Sequence, residues 1–284
     1  MSSLKLKNNV VTSRWLAEKL HHPELVLLDA SWHMPGSGRD GLTEFVEQHI
    51  ATAQFFDFDG DVVAASSLPH MLPDEAQFQQ AARRFGINND SAIVVYDSHG
   101  LFSAARVWWM FKAMGHNKVA VLNGGLPAWL AQEGELAAGT PNARPQGQFV
   151  AKLQPTLVVD KREVQLSLHA PERVILDARG PQRFSGAAAD PRPTVAAGHM
   201  PGAINLPYAS LIDDGKLLPP FLLHQRFVER GVDGNARQIY SCGSGVTACI
   251  LALAATEIGV QNWGVYDGSW VEWGAASDTE KVID

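Results

Sequence analysis

The chain repeats itself once. Leu27-Leu28-Asp29-Ala30 returns as Ile175-Leu176-Asp177-Ala178, and Gln48-His49-Ile50 returns as Gly198-His199-Met200, with Ala53 matching Ala203. Phe85-Gly86-Ile87 returns as Arg230-Gly231-Val232, Val94-Val95-Tyr96-Asp97 as Ile239-Tyr240-Ser241-Cys242, and Asn123-Gly124 through Trp129 as Asp267-Gly268 through Trp273. The offset stays between 144 and 150. A near-constant offset over most of a chain marks two folding units of one kind in tandem. Each copy alternates short aliphatic or β-branched runs with helical patterns. Strands are predicted at Val26–Leu28, Ile93–Tyr96 and Val119–Leu122, then at Val174–Leu176, Ile239–Ser241 and Gly264–Tyr266. Asp74-Glu75-Ala76-Gln77 and Asp160-Lys161-Arg162-Glu163 fit capping boxes at helix starts.

Near-continuous apolar strands separated by helices predict parallel sheets covered on both faces. The expected fold class is therefore α/β: two tandem domains, each a mostly parallel sheet flanked by helices. The stretch Gly139-Thr140-Pro141-Asn142-Ala143-Arg144-Pro145-Gln146-Gly147 has no apolar period and is rich in Pro, Gly and polar residues. It divides the chain into a first domain at 1–139, a linker at 140–156 and a second domain at 157–284. Two packed copies create a cleft, and ligands commonly bind at domain interfaces.

At 284 residues, 46% hydrophobic and 19% charged, the chain has the balance of a soluble globular protein. A net charge of −7 favours neither nucleic acid nor an anionic membrane as partner. No apolar run reaches the ~18 residues needed to span a bilayer. The start, Met1-Ser2-Ser3-Leu4-Lys5-Leu6-Lys7, has neither a secretory h-region nor an Arg-rich transit pattern, so the expected location is cytoplasmic. Two cysteines, Cys242 and Cys249, make no disulfide framework and no zinc spacing, and the ten histidines are scattered. Neither a metal nor a cofactor is expected.

The chemistry points to Tyr240-Ser241-Cys242-Gly243-Ser244-Gly245-Val246-Thr247-Ala248. It follows a predicted strand and precedes a helical run, which puts Cys242 at the carboxyl end of a strand, where α/β folds keep their sites. Gly243 and Gly245 permit backbone angles that turn several N–H groups inward as an anion nest. The unpaired N–H groups of the following helix can add to it. Such surroundings favour thiolate over thiol. Cys249, on an apolar helical stretch with no activating neighbour, reads as core. The first copy is an internal control: it carries Asp97 where the second carries Cys242, followed by Ser98-His99-Gly100-Leu101-Phe102. Only the second copy can do thiol chemistry. His49 and His199, and likewise Trp129 and Trp273, recur in both copies and read as scaffold.

Over nearly its whole length the chain resembles the tandem-domain rhodanese family, and within it the 3-mercaptopyruvate sulfurtransferases. The loop Cys242-Gly243-Ser244-Gly245-Val246-Thr247-Ala248 carries the resemblance, with Phe55-Phe56-Asp57, Leu68-Pro69-His70-Met71-Leu72-Pro73 and Tyr266-Asp267-Gly268-Ser269-Trp270. Thiosulfate-using relatives typically have two basic residues after the cysteine, where this chain has Gly243 and Ser244. One departure is His49-Ile50-Ala51-Thr52-Ala53, where the family often has His-Ile-Pro-Gly-Ala; the second copy keeps His199-Met200-Pro201-Gly202-Ala203. A first-copy turn of different shape is expected from it.

The resemblance implies a Cys242 persulfide formed from 3-mercaptopyruvate, with pyruvate released and the outer sulfur passed to cyanide, a small thiol or a thioredoxin. It implies that Arg183 and Arg192 clamp the keto acid, for which the planar donor fork of arginine is suited. Read as residues alone, the two arginines equally suit solvation or an ion pair with Asp190. Gly243, Gly245, Val246 and Thr247 would line the substrate loop. By the same resemblance, Ser244 relays a proton with His70 and Asp57; without it, His70 reads as an ordinary loop histidine and Asp57 as a cap or ion-pair partner. Arg179 reads as a structural partner of Asp177. Three other readings compete. A thiosulfate sulfurtransferase would use the same nucleophile. A cysteine phosphatase needs an arginine in a Cys-x5-Arg loop, and that position holds Ala248. A non-enzymatic binding or sensor module would have no use for an intact cysteine loop.

Overall fold

The computed structural model describes residues 4–62, 64–232, 234 and 236–284. The chain forms two compact units. The first takes in the chain up to Ala65, Leu72–Gln154 and Asp214–Leu217; the second takes in Ser66–Met71, Pro155–Asp213 and Leu218–Asp284. In the first, strands β1 (Val10–Val11), β2 (Leu25–Asp29), β3 (Gln54–Phe55), β4 (Ala92–Tyr96) and β5 (Val119–Leu122) make one parallel sheet in the order β1-β5-β4-β2-β3. In the second, β6 (Val158–Val159), β7 (Arg173–Asp177), β8 (Ile204–Asn205), β9 (Arg237–Ser241) and β10 (Trp263–Tyr266) repeat that order as β6-β10-β9-β7-β8, again parallel. The central strands β2 and β4 are buried along their length, as sheets covered on both faces require.

The helix Glu75–Arg84 begins with both halves of the capping box, Asp74 accepting from the Gln77 N–H and Gln77 reaching back. At Lys161–Ser167 only half forms. Asp160 accepts from the Glu163 N–H, but the Glu163 carboxylate turns instead to Arg237 Nε at 2.9 Å. The stretch expected as linker follows the first unit closely. Gly147 N–H donates to Arg83 O, Phe149 N–H to Ile87 O and Gln154 N–H to Ala113 O. Phe149 is fully buried between Phe78 and Phe111.

The repeated histidines make the same structure twice. His49 stacks on Phe45 and bonds its carbonyl at 2.7 Å; His199 stacks on Phe184 and bonds its carbonyl at 3.0 Å. Trp129 and Trp273, both buried, donate their indole N–H groups to Glu135 O and Glu280 O. The turn after each histidine also keeps its shape, contrary to expectation. Ala53 N–H bonds Ile50 O at 3.0 Å and Ala203 N–H bonds Met200 O at 3.1 Å, with φ of +69° at Thr52 and +70° at Gly202. Both copies adopt a left-handed residue at this position, so Thr52 carries strain that Gly202 avoids.

A second divergence lies at the ends of β2 and β7. Asp177 is paired with Arg179, both buried, at 2.7 Å. The matching position to Arg179 is Ser31, so Asp29 has hydrogen bonds from the Ser31 N–H and hydroxyl but no cation there. Burial raises the Asp29 carboxyl to a pKa of about 6, against the lowering effect of those hydrogen bonds.

Two outcomes are expected. Thr52→Gly should raise stability by roughly 0.5–1 kcal/mol, the relief of left-handed strain exceeding the extra entropy of glycine in the unfolded chain; a lower unfolding midpoint in denaturant would contradict this. For Asp29 the folded state holds its proton to higher pH than the unfolded state. Its contribution is therefore complete below the ordinary carboxyl range and is lost as pH rises through about 6. The stability difference between Asp29→Asn and the parent should shift by on the order of 3 kcal/mol toward the variant between pH 4 and pH 7.5. Unfolding curves of both proteins across that range supply the measurement.

Candidate active site

The second unit builds its site at the end of β9. Register with β7 places Ser241 opposite Asp177, and the chain then turns through residues 242–247 into the helix Ala248–Glu257. The backbone of the loop is pinned from the segment after β10. Cys242 N–H donates to Ser269 Oγ at 3.1 Å, Trp270 N–H to Cys242 O at 3.0 Å and Val271 N–H to Gly243 O at 2.9 Å. Ser269 also donates to Tyr266 O at 2.8 Å. It holds this post at a φ of +49°, an unusual conformation for a residue with a side chain.

Cys242 is 2% exposed, and its sulfur accepts the Gly245 N–H at 3.2 Å. Gly245 makes this turn at a φ of +82°, the left-handed conformation that favours glycine. The amides of Ser244, Val246, Thr247 and Ala248 have no protein acceptor among the described residues. Ser244 and Thr247 are half-buried, and Val246 is buried. The thiol thus accepts one backbone donor, in a loop whose neighbouring amides at the helix start are open. Cys249 is the second residue of the helix, fully buried, with its thiol donating to Gly245 O at 3.2 Å.

The sister loop shows what such a cluster does when an anion is built into it. Asp97 follows β4 and is fully buried. Its carboxylate accepts the N–H groups of His99 at 2.9 Å, Phe102 at 2.7 Å and Ala104 at 2.9 Å. The helices begin at Ala104 and Ala248, so the Ala104 donor matches the open amide of Ala248 and the His99 donor matches that of Ser244, with the loop between one residue shorter in the second unit.

Arg183 reaches the cysteine loop from the short helix Pro181–Ser185. A side chain on Gly243 would place its Cβ 3.2 Å from Arg183 Nη2, so the guanidinium lies against the backbone next to Cys242. Arg183 Nη2 donates to Asp190 at 2.5 Å, while its Nε is buried without a hydrogen-bond partner. Arg192 Nη1 lies 3.6 Å from the same carboxylate, and the Arg192 N–H donates to it at 3.0 Å. Arg179 is committed elsewhere, to Asp177, to Gly198 O and to the face of Trp270.

The remaining sequence candidates fall in two places. His70 belongs to the segment Ser66–Met71, which is part of the second unit, and has a φ of +62°. Leu68 of that segment packs on the second unit's core. Asp57 belongs to the first unit, where it accepts the Asp59 N–H at 2.9 Å and its own N–H donates to Asp61. There it lines a cavity of about 400 Å³ with Phe45, Phe55 and Phe85. Asp190 and Ser269 were not singled out from sequence as site residues. For Ser269 a signal existed: its counterpart in the repeat is Gly125, which has the same φ of +49°.

The rhodanese-like domain profile matches residues 12–132 and 160–276. The chain belongs to the rhodanese family. The human 3-mercaptopyruvate sulfurtransferase is 39% identical over 290 residues, spanning 100% of this chain and 97% of that one. A mitochondrial protein of Arabidopsis thaliana, thiosulfate/3-mercaptopyruvate sulfurtransferase 1, is 40% identical over 98% of this chain and 79% of its own length. The crystal structure of SseA from Escherichia coli, described among the 3-mercaptopyruvate sulfotransferases, superposes with a TM-score of 0.84 at 38% identity. It covers 93% of this chain and 99% of that one.

If the Asp97 carboxylate holds its loop through three N–H groups, Asp97→Ala should cost about 3 kcal/mol or more, since each abandoned buried donor is worth roughly 1–3 kcal/mol. Equilibrium unfolding measures this, and a loss under 1 kcal/mol would show that the loop does not need its anion.

Proposed function

We propose that this chain is a 3-mercaptopyruvate sulfurtransferase that carries sulfur as a Cys242 persulfide. The observation that carries the reading is the Gly245 N–H donated to the Cys242 sulfur in a loop with further open amides, alongside a sister loop whose donors already grip an anion. The bond counts agree. The outer oxygen of aspartate stands two bonds beyond Cβ, through Cγ, and the outer sulfur of a cysteine persulfide stands two bonds beyond Cβ, through Sγ. Asp97 therefore places its acceptor the same number of bonds from the backbone as a loaded Cys242 would, the sulfur reaching somewhat further on its longer bonds.

In the first half-reaction the Cys242 thiolate attacks the sulfur of the donor. The new S–S bond forms as the C–S bond breaks, and the electron pair leaves on carbon as the enolate of pyruvate, which takes up a proton. The thiol proton of the donor passes to the site or remains on the outer sulfur. N–H groups of the loop stabilise the negative sulfur without reorganising. Arg183 and Arg192 hold the carboxylate and carbonyl of the donor; their forks suit a planar keto acid. Ser244 with His70, which belongs to the same unit, serves as the proton relay. In the second half-reaction an acceptor such as cyanide, a small thiol or a thioredoxin attacks the outer sulfur, and the Cys242 thiolate departs. Cytoplasmic work suits the chain, in which no helix among the described residues is long and apolar enough to cross a membrane.

The test is intact mass after exposure to 3-mercaptopyruvate. One added sulfur should be seen on the parent and none on Cys242→Ser, with turnover of 3-mercaptopyruvate exceeding that of thiosulfate. Sulfur retained by Cys242→Ser would sink the assignment of the nucleophile, and better turnover of thiosulfate would sink the donor.

A further inference from the structure

The two arginines beside the cysteine loop share one carboxylate. Asp190 is 2% exposed in its side chain, whereas Arg183 and Arg192 remain 30% and 32% exposed. One oxygen of Asp190 takes Arg183 Nη2; the other takes the Arg192 N–H and faces Arg192 Nη1. The third arginine nearby, Arg179, is neutralised by Asp177. The clamp therefore presents two guanidinium groups with a single counter-charge, a net charge of one.

We propose that Asp190 is a specificity-determining residue, acting through Arg183 and Arg192, that sets this clamp to prefer a monoanionic donor over a dianionic one. The inference rests on the proposed role of the two arginines. A buried carboxylate contributes a repulsion that scales with ligand charge. It costs a dianion such as thiosulfate about twice what it costs a monoanion such as an α-keto acid. Removing that charge leaves the clamp at two positive charges and favours the dianion. The carboxylate also fixes the Arg183 guanidinium against the backbone of Gly243, so its loss loosens the grip on a keto acid at the same time. The absence of basic residues at Gly243 and Ser244 acts in the same direction.

Binding is measured in the full chain carrying Cys242→Ser, so that no turnover occurs. Titration calorimetry with pyruvate and with thiosulfate gives two dissociation constants. Adding Asp190→Asn should move their ratio toward thiosulfate by about tenfold or more, with a steeper salt dependence for thiosulfate. Adding Asp190→Glu, which keeps the charge and alters the reach, should leave the ratio within a few-fold of the parent. An unchanged ratio in Asp190→Asn overturns the inference, as does an equal shift in Asp190→Glu, because geometry rather than charge would then govern. Failure of both anions to bind the Cys242→Ser chain overturns it too. If the ratio shifts as expected while the parent gains no sulfur from 3-mercaptopyruvate, the sulfurtransferase reading falls and the anion selectivity of the clamp stands.

Discussion

A strand that ends in a tight turn before a helix leaves a ring of N–H groups with nothing to bond, and each unit of this protein must deal with one. Buried donors without acceptors cost stability, so the ring demands an anion or a strong acceptor. The first unit meets the demand from within: the Asp97 carboxylate takes three of the donors. In the second unit Cys242 offers a thiol, the sulfur takes one N–H and neighbouring amides stay open. One loop is satisfied and inert; the other is under-satisfied and ready for charge. Asp97 and Cys242 hold the same place after the strand, and the residues that follow them differ as well.

Duplication makes such trades visible elsewhere. Thr52 sits in a left-handed turn that its counterpart fills with Gly202, and Asp29 lies buried without the arginine that neutralises Asp177. Ser269 reverses the direction. It takes a left-handed position that Gly125 fills in the first unit, and there its hydroxyl secures the backbone of Cys242. Strain at Thr52 is matched only by a long hydrogen bond from its hydroxyl to Leu20 O at 3.4 Å, whereas strain at Ser269 holds the Cys242 loop in place.

The repeat, the parallel sheets and most strand positions were legible in sequence because they rest on local periodicity: β5 spans the predicted Val119–Leu122, and the other central strands extend one or two residues past the apolar runs. The paired histidines and tryptophans were legible because each recurs at an equivalent position, but the ring under each histidine was not, since Phe45 and Phe184 stand at different spacings from His49 and His199. Tertiary choices were not. Glu163 satisfied the local rule for a capping box and still turned to Arg237, a partner far along the chain. Phe149, in a stretch marked as linker by its Pro and Gly neighbours, is fully buried against Phe78 and Phe111. Asp190 read only as an alternative ion-pair partner, since nothing local shows that one carboxylate serves two arginines.

Sulfur transfer asks two opposed things of a site. The loaded sulfur must be stabilised enough to form and exposed enough in energy to leave. A full ring of strong partners, or a buried cation in direct contact, would hold a persulfide too firmly to pass on. Open amides solve this by being fixed dipoles rather than charges: they strengthen toward a negative sulfur and relax little when it departs. On the proposed function the charges stand one step away, on Arg183 and Arg192, where they would act on the organic part of the donor, which leaves with the product. The arginines and their shared carboxylate would then choose the donor while backbone amides hold the sulfur, so the second half-reaction would need no change in the clamp.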